Sequence, residues 1–202
     1  MLKISEFSPY FSKKGFDIKT DKKYYSKKKE YNGKKDMLFY NFYTNVKMIE
    51  NIHDALNGFN ELDEKIKLAE KLEQMKFKNK DEIMNNLIYD KKIKLFTLDI
   101  ICKLMNVYVI YIYDNLFVKM KYNDTKPIII DNKSNILENF DLDKLENMYE
   151  VNLEKPIKAI SYYKLAELQD FAKKLNIPTD KLKKQDIYNE IKTYLNTHDF
   201  NK

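Results

Sequence analysis

The side chains that most often carry chemistry are scarce in this sequence. Histidine occurs twice, at His53 and His198, and cysteine once, at Cys102. A zinc site needs three or four thiolate, imidazole or carboxylate ligands at a recognisable spacing, and two histidines and one cysteine this far apart supply none. His53, beside Asp54, and His198, near the C-terminal end, read as surface residues. Cys102 falls in an apolar segment and reads as a small buried hydrophobe, not as a nucleophile. Gly15, Gly33 and Gly58 are isolated, so no glycine-rich phosphate loop is visible. The acidic pairs Asp63/Glu64 and Asp141/Asp143 stand in charge-rich stretches and read as solvated faces, not as an acid–base pair. The expectation is a protein that is not an enzyme, with no catalytic residue, no metal site and no cofactor.

Charge is the more informative signal. The net charge is +6, and every basic residue is lysine. Without arginine there is no planar fork for bidentate contacts to guanine or phosphate, so any nucleic-acid binding must lean on lysine point charges and backbone amides, with little sequence discrimination. The abundance of Lys, Asn, Ile, Tyr and Phe matches A/T-rich codons. A single cysteine excludes an internal disulfide and fits a reducing compartment. The first residues show no charged-then-apolar leader, and the most apolar run, 107–113, is too short to span a bilayer. An intracellular protein without a membrane partner is expected.

The charge divides the chain in three. Residues 1–36 carry 11 lysines against 5 acids, residues 37–154 carry 16 against 20, and residues 155–202 carry 10 against 6. The first part holds Lys22, Lys23, Lys27, Lys28 and Lys29 interleaved with Tyr24, Tyr25 and Tyr31. It reads as a basic arm, 1–36, that either binds phosphate and stacks tyrosines on bases or is a solvated tail.

The elements that would position these charges follow from periodicity. Leu38, Phe39, Phe42, Tyr43 and Val46 predict a helix over 37–48, and Leu62, Ile66, Ala69 and Leu72 predict another over 62–75. Ile83, Leu87 and Ile88 mark a short third helix, and 97–105 a fourth with Thr97 as its cap. The period then changes to two. Residues 107–113 predict a buried strand, 116–122 a second strand after a turn at Asn115, and 128–130 a third after Lys126-Pro127. Three short strands in succession predict an antiparallel meander. The fold class is α+β, with a central domain at 37–154 in which helices pack on a small antiparallel sheet. After Pro156, a plausible hinge, Ser161 can cap a helix over 162–175 with Leu165, Leu168, Ala172 and Leu175 as its apolar stripe. Asn176-Ile177-Pro178-Thr179 breaks it, and Ile187, Ile191 and Leu195 predict a second helix over 184–195. These two helices form a small all-α helix–loop–helix module at 157–197.

Two segments resemble known families. The order of helix, helix and three strands in the central part is similar to that of OTU-type cysteine proteases, in which a cysteine opens the first helix and a histidine follows the late strands. The corresponding stretch here is Asp36-Met37-Leu38-Phe39, without a cysteine, and Asp131 and Asn132 follow the last strand, without a histidine. The resemblance implies a decommissioned domain used for binding; a divergent hydrolase is the alternative it leaves. The C-terminal stretch resembles SAP and Rho N-terminal-type domains more specifically. It has the L-x-x-L helix at Leu165 and Leu168, the N-I-P turn at Asn176-Ile177-Pro178, the Lys183-Lys184 start and a second amphipathic helix. The usual turn glycine is Asn176, which also tolerates the left-handed conformation. SAP-like modules generally bind DNA and Rho-type ones can bind RNA. The whole pattern also resembles SAP-bearing proteins of nucleocytoplasmic large DNA viruses, which implies a virion or a cytoplasmic viral factory.

The resulting expectation is a non-enzymatic nucleic-acid-associated protein, with DNA favoured over RNA. Lys183 and Lys184 would sit at a helix N-terminus, where free amides and the dipole favour phosphate. Lys173, Lys174 and Lys181 would extend that patch, and Lys27, Lys28 and Lys29 of the arm would add to it. In this reading the central domain would dock a protein partner or self-associate. The alternative is a structural, scaffolding or virion protein whose C-terminal module docks protein.

Overall fold

A computed structural model describes residues 35–50 and 59–197. The first helix, α1 (Met37–Ile49), begins where the Asp36 carboxylate accepts the Phe39 amide at 3.1 Å, an N-cap that satisfies one of the free amides of the first turn. All five residues of its apolar pattern are buried. α2 (Glu61–Glu73) is capped by Asn60, whose side chain accepts from the Leu62 amide at 3.0 Å. α3 (Lys80–Tyr89) and α4 (Leu95–Met105) follow. α4 starts earlier than its sequence pattern predicts. Lys94 is the N-cap, and Thr97 is buried inside the first turn with its hydroxyl on Asn86 Oδ1. Leu95, buried in the core, begins the helix two residues sooner.

The sheet contains β1 (Tyr108–Tyr113), β2 (Leu116–Lys121), β3 (Ile128–Asp131) and β4 (Tyr149–Glu150), in the order β3-β1-β2-β4. β1 and β2 form the expected antiparallel hairpin, with Asp114 in the left-handed region at its turn. The antiparallel meander is corrected beyond that point. β3 crosses to the far side of β1 and pairs with it in parallel, and β4 pairs in parallel with the free edge of β2, so the sheet is mixed. The three consecutive isoleucines of β3 explain the choice. Ile128 and Ile130 join the helix-side core, while Ile129 lies with Ile110, Ile112 and Phe117 on the opposite face, which Leu137, Phe140, Leu145 and Met148 cover. β1 is buried on both faces. Beside β2, an isoleucine would share a face with the exposed Lys119 or Lys121.

The fold class is α+β. After β4 the chain makes a short 3-10 turn at Ile160–Tyr162 and enters α5 (Leu165–Lys174) and α6 (Lys184–Thr197). α5 begins three residues later than the Ser161 cap predicts. Lys164 is its N-cap, and the Glu167 side chain accepts the Lys164 amide at 2.6 Å. Leu165 therefore sits in the first turn and stays exposed, while Leu168, Phe171, Ala172 and Leu175 are buried. These residues, with Ile187, Ile191 and Leu195, belong to the same apolar cluster as α1 and the sheet. Phe171 stacks on Tyr149 of β4 across Pro156. All the described residues lie in one compact unit, 33–202. Among them no helix is long and apolar enough to cross a membrane.

Glycine is rare, and asparagine takes its usual posts. Asn106 ends α4 at φ 52° and Asn176 ends α5 at φ 57°. Each is followed by an amide that returns to the helix: Val107 to the Cys102 carbonyl at 3.0 Å, and Ile177 to the Ala172 carbonyl at 2.8 Å. Both are Schellman closures, in which a left-handed residue lets the last carbonyls be paired.

Candidate nucleic-acid interface

The helical pair is held by its buried stripes. Leu168, Phe171 and Ala172 of α5 meet Ile187, Ile191 and Leu195 of α6, and the Schellman turn at Asn176 reverses the chain between them. Five of the lysines singled out from sequence come together at the loop end of this pair. Lys173 and Lys174 close α5, Lys181 lies in the loop, Lys183 precedes α6 and Lys184 opens it. Lys173, Lys181 and Lys183 are exposed, and Lys174 and Lys184 are half-buried. Among the described residues none of the five has a carboxylate within ion-pair distance. Lys173 and Lys174 also suit the negative end of the α5 dipole on structural grounds alone.

The start of α6 is more specific than its lysines. Asp186 Oδ2 accepts the Lys183 amide at 3.3 Å, and the Asp186 and Ile187 amides return to the Lys183 carbonyl at 3.0 and 3.1 Å. Asp186 thus takes one of the amides that a phosphate would use and places a negative charge in the first turn. Among the described residues no backbone carbonyl takes up the amides of Lys184 and Gln185. The lysine pair is the larger part of any anion attraction here, and the helix terminus the smaller. Lys181 holds φ at 63°, a left-handed conformation that costs a non-glycine residue roughly 1–2 kcal/mol. Lys27, Lys28 and Lys29, with the rest of the arm, lie outside the described residues, as do His53 and His198.

Cys102 is fully buried in α4. Burial, with the nearby Asp99 charge added, pushes its thiol well above the usual range, which disfavours the thiolate a nucleophile requires. In the stretch Asp36-Met37-Leu38-Phe39 that opens α1, Met37 is exposed (47%) and the other three side chains are buried. Asn41 Nδ2 donates to the Ser134 carbonyl at 2.7 Å, so α1 and the loop after β3 are neighbours. In that loop Asp131 Oδ1 accepts the Lys133 and Asn135 amides and closes its own turn. Among the described residues no three metal-ligating side chains converge.

Two features escaped the sequence. Lys65 is wholly buried in α2, held by Asp36 and Glu61 at 3.0 and 3.1 Å. The sequence pattern sets Leu62, Ile66, Ala69 and Leu72 on one face; Ala69 and Leu72 are buried, but the helix is turned so that Glu61, Lys65 and Leu68 are buried beside them and Leu62 and Ile66 are only half-buried. The second is a cleft of about 1250 Å³ beside α3 and α4, whose walls include Lys76, Phe77, Lys78, Tyr149, Lys155 and Tyr163. The interleaving of lysine with aromatic residues at 76–78 and 155–163 was its only local signal.

Comparison with known proteins finds no family model that matches the chain, and no curated protein and no solved structure similar to it.

Proposed function

We propose that this chain is a non-enzymatic nucleic-acid-associated protein that grips backbone phosphates, DNA in preference to RNA, through an SAP-like module formed by α5 and α6. The observation that carries the reading is the gathering of Lys173, Lys174, Lys181, Lys183 and Lys184 at one end of the helical pair, none with a carboxylate partner among the described residues. The packed side of the pair holds the leucines and isoleucines, which leaves Lys173, Lys181 and Lys183 exposed to water. Lysine alone, without arginine, favours phosphate contact over reading of base edges. The α+β body, in its resemblance to an OTU-type domain that lacks a cysteine at the start of the first helix and a histidine after β3, supports a binding and not a hydrolytic role. The resemblance to SAP-bearing viral proteins supports a place beside viral DNA, in a virion or viral factory.

Salt-dependent duplex binding tests the reading. The full chain binds a short duplex with an affinity that falls as salt rises, and Lys183→Glu with Lys184→Glu removes most of it while the thermal midpoint stays put. Duplex binding that ignores both salt and these two substitutions sinks the proposal, and leaves protein docking as the role of the module.

A further inference from the structure

The cleft of about 1250 Å³ is walled by the α2–α3 loop, α3, α4, β2, β4 and the segment from Val151 to Tyr163. We propose that it is a groove for single-stranded nucleic acid, with lysines holding the backbone and aromatic rings receiving the bases.

The charge comes first. Seven lysines and four carboxylates line the cleft. Lys94 is paired with Glu82 at 3.5 Å and Lys119 with Glu150 at 2.7 Å, and Lys103 lies close to Asp99. Lys76, Lys78, Lys155 and Lys158 remain: all exposed, and none with a carboxylate in ion-pair range among the described residues. Two stand on the α2–α3 loop and two on the segment after β4. Such a pair of cationic walls tracks a polyanion. Of the acids, Asp99 is tied to the Tyr122 hydroxyl, which donates to it at 2.8 Å, and Glu154 is exposed.

Both walls are fixed. Asn152 Oδ1 accepts the Glu154 and Lys155 amides at 2.9 and 3.0 Å. The Lys158 amide donates to the Tyr163 hydroxyl at 3.1 Å, and the Tyr188 hydroxyl of α6 donates to the Lys158 carbonyl at 3.0 Å. On the other side Lys80 Nζ donates to the Met75 carbonyl at 3.4 Å and to the Glu73 carbonyl. Ligand binding therefore orders little that is not already ordered.

The rings choose the ligand. Phe77, Phe96, Tyr122, Tyr149 and Tyr163 line the cleft, each half-buried. Base–ring stacking is available only to bases whose faces are free, which a duplex covers and a single strand exposes. An acidic peptide would answer the lysines but bring nothing flat to the rings. The volume exceeds the roughly 300–1,000 Å³ of small-molecule pockets, which fits a run of units better than a single small molecule. A smaller hollow of about 320 Å³ shares Tyr149, Lys158 and Tyr163 and reaches Phe171 and Lys174. The path thus leads from the body to Lys174 of α5, and neither hollow is lined by Lys183 or Lys184 at the start of α6.

The test uses the full chain and fluorescence anisotropy with two probes: an oligothymidylate of about 12 nucleotides, within the ~4–16-nucleotide site sizes of single-strand grooves, and a duplex. Lys76→Glu with Lys155→Glu lowers single-strand affinity about tenfold or more while duplex affinity holds. Phe96→Leu keeps an apolar side chain on the core but removes the ring face, and lowers single-strand affinity about five- to hundredfold, the worth of one stacked base. Lys183→Glu with Lys184→Glu has the opposite selectivity, so failure of the groove and failure of the α6 site are read separately. Single-strand affinity unchanged in the Lys76/Lys155 variant overturns the proposal. So does displacement of the oligothymidylate by polyglutamate as readily as by unlabelled oligothymidylate, since charge alone would then explain the binding.

Discussion

Lys65 Nζ lies 3.0 Å from Asp36 Oδ2, with both side chains sealed from solvent. Glu61 Oε1 completes the lysine's pairing at 3.1 Å, and its other oxygen accepts the Asp36 amide at 3.0 Å. Asp36 also accepts the amides of Phe39 and Ile93, at 3.1 and 2.7 Å. One carboxylate thus caps α1, anchors the chain before α4 and neutralises a lysine from α2. Removal of one partner from such a buried pair leaves an uncompensated charge, at a cost of about 3–5 kcal/mol. Asp36→Ala is expected to destabilise by about that amount, read as a lower urea midpoint with an unchanged slope. Lys65→Met together with Asp36→Asn and Glu61→Gln should recover much of the loss. A loss under 1 kcal/mol for Asp36→Ala would mean that the three groups are not buried together in solution.

The pH dependence of stability has a readable contribution from Asp99. Burial raises its carboxyl above the ordinary aspartate range, against the hydrogen bond from Tyr122 and the charge of Lys103. A raised folded-state value means that ionisation opposes folding. The penalty is absent below the unfolded-state aspartate value and fully present above the folded one, so this group's contribution to stability falls as pH rises through that window. Asp99→Asn, which still accepts from Tyr122, should be more stable than the parent at neutral pH and equal to it at low pH. Thermal midpoints across that range check the sign; a variant less stable than the parent at neutral pH contradicts it.

Phe171 ties the module to the body, stacked on Tyr149 and 2% exposed. Truncation of a buried phenylalanine costs about 3–5 kcal/mol. Because one apolar cluster includes Leu168 and Ile191 together with Phe42 and Val109, Phe171→Ala should lower a single cooperative transition of the whole unit. Two resolved transitions would show that the module parts from the body at Pro156.

Duplex affinity carries its own number. Three phosphate contacts at the loop end of α5 and α6 give a log–log salt slope of about −2.7, since each releases roughly 0.9 counterion. Loss of Lys183 and Lys184 should bring the slope to about −0.9. An unchanged slope would move the contacts elsewhere in the chain.

Cys102 offers a check on the interior. A thiol buried on the core face of α4 should label with a maleimide only as fast as the protein opens, and at once in denaturant. Immediate labelling of the native chain would show the α4 face to be open.

The sequence by itself determined where most of the helices and the first two strands lie, because that depends on local periodicity, although not which face of α2 is buried. Leu38, Phe39, Phe42 and Val46 can meet one core only as a helix face, and 107–113 can be apolar throughout only as a strand covered on both sides. Asn176 at the end of an apolar stripe announces a left-handed closure, because its short amide tolerates the conformation that larger side chains resist. What the tertiary structure decided depends on partners distant along the chain. Lys65 reads as a surface residue until Asp36 is brought to it from the start of α1, since a charge enters a core only with its counter-charge. β3 offers isoleucines to both faces, and the place beside β1 is where both are covered, Ile128 and Ile130 by the helix-side core and Ile129 by Leu137, Phe140, Leu145 and Met148, all distant along the chain from β1. The lysine and ring cleft is assembled from 76–103, 118–122 and 149–163, so no single stretch of sequence contains it. Side-chain period is a property of one segment, whereas pairing and enclosure are properties of two or more, and that is where the reading of the chain gave way to its folding.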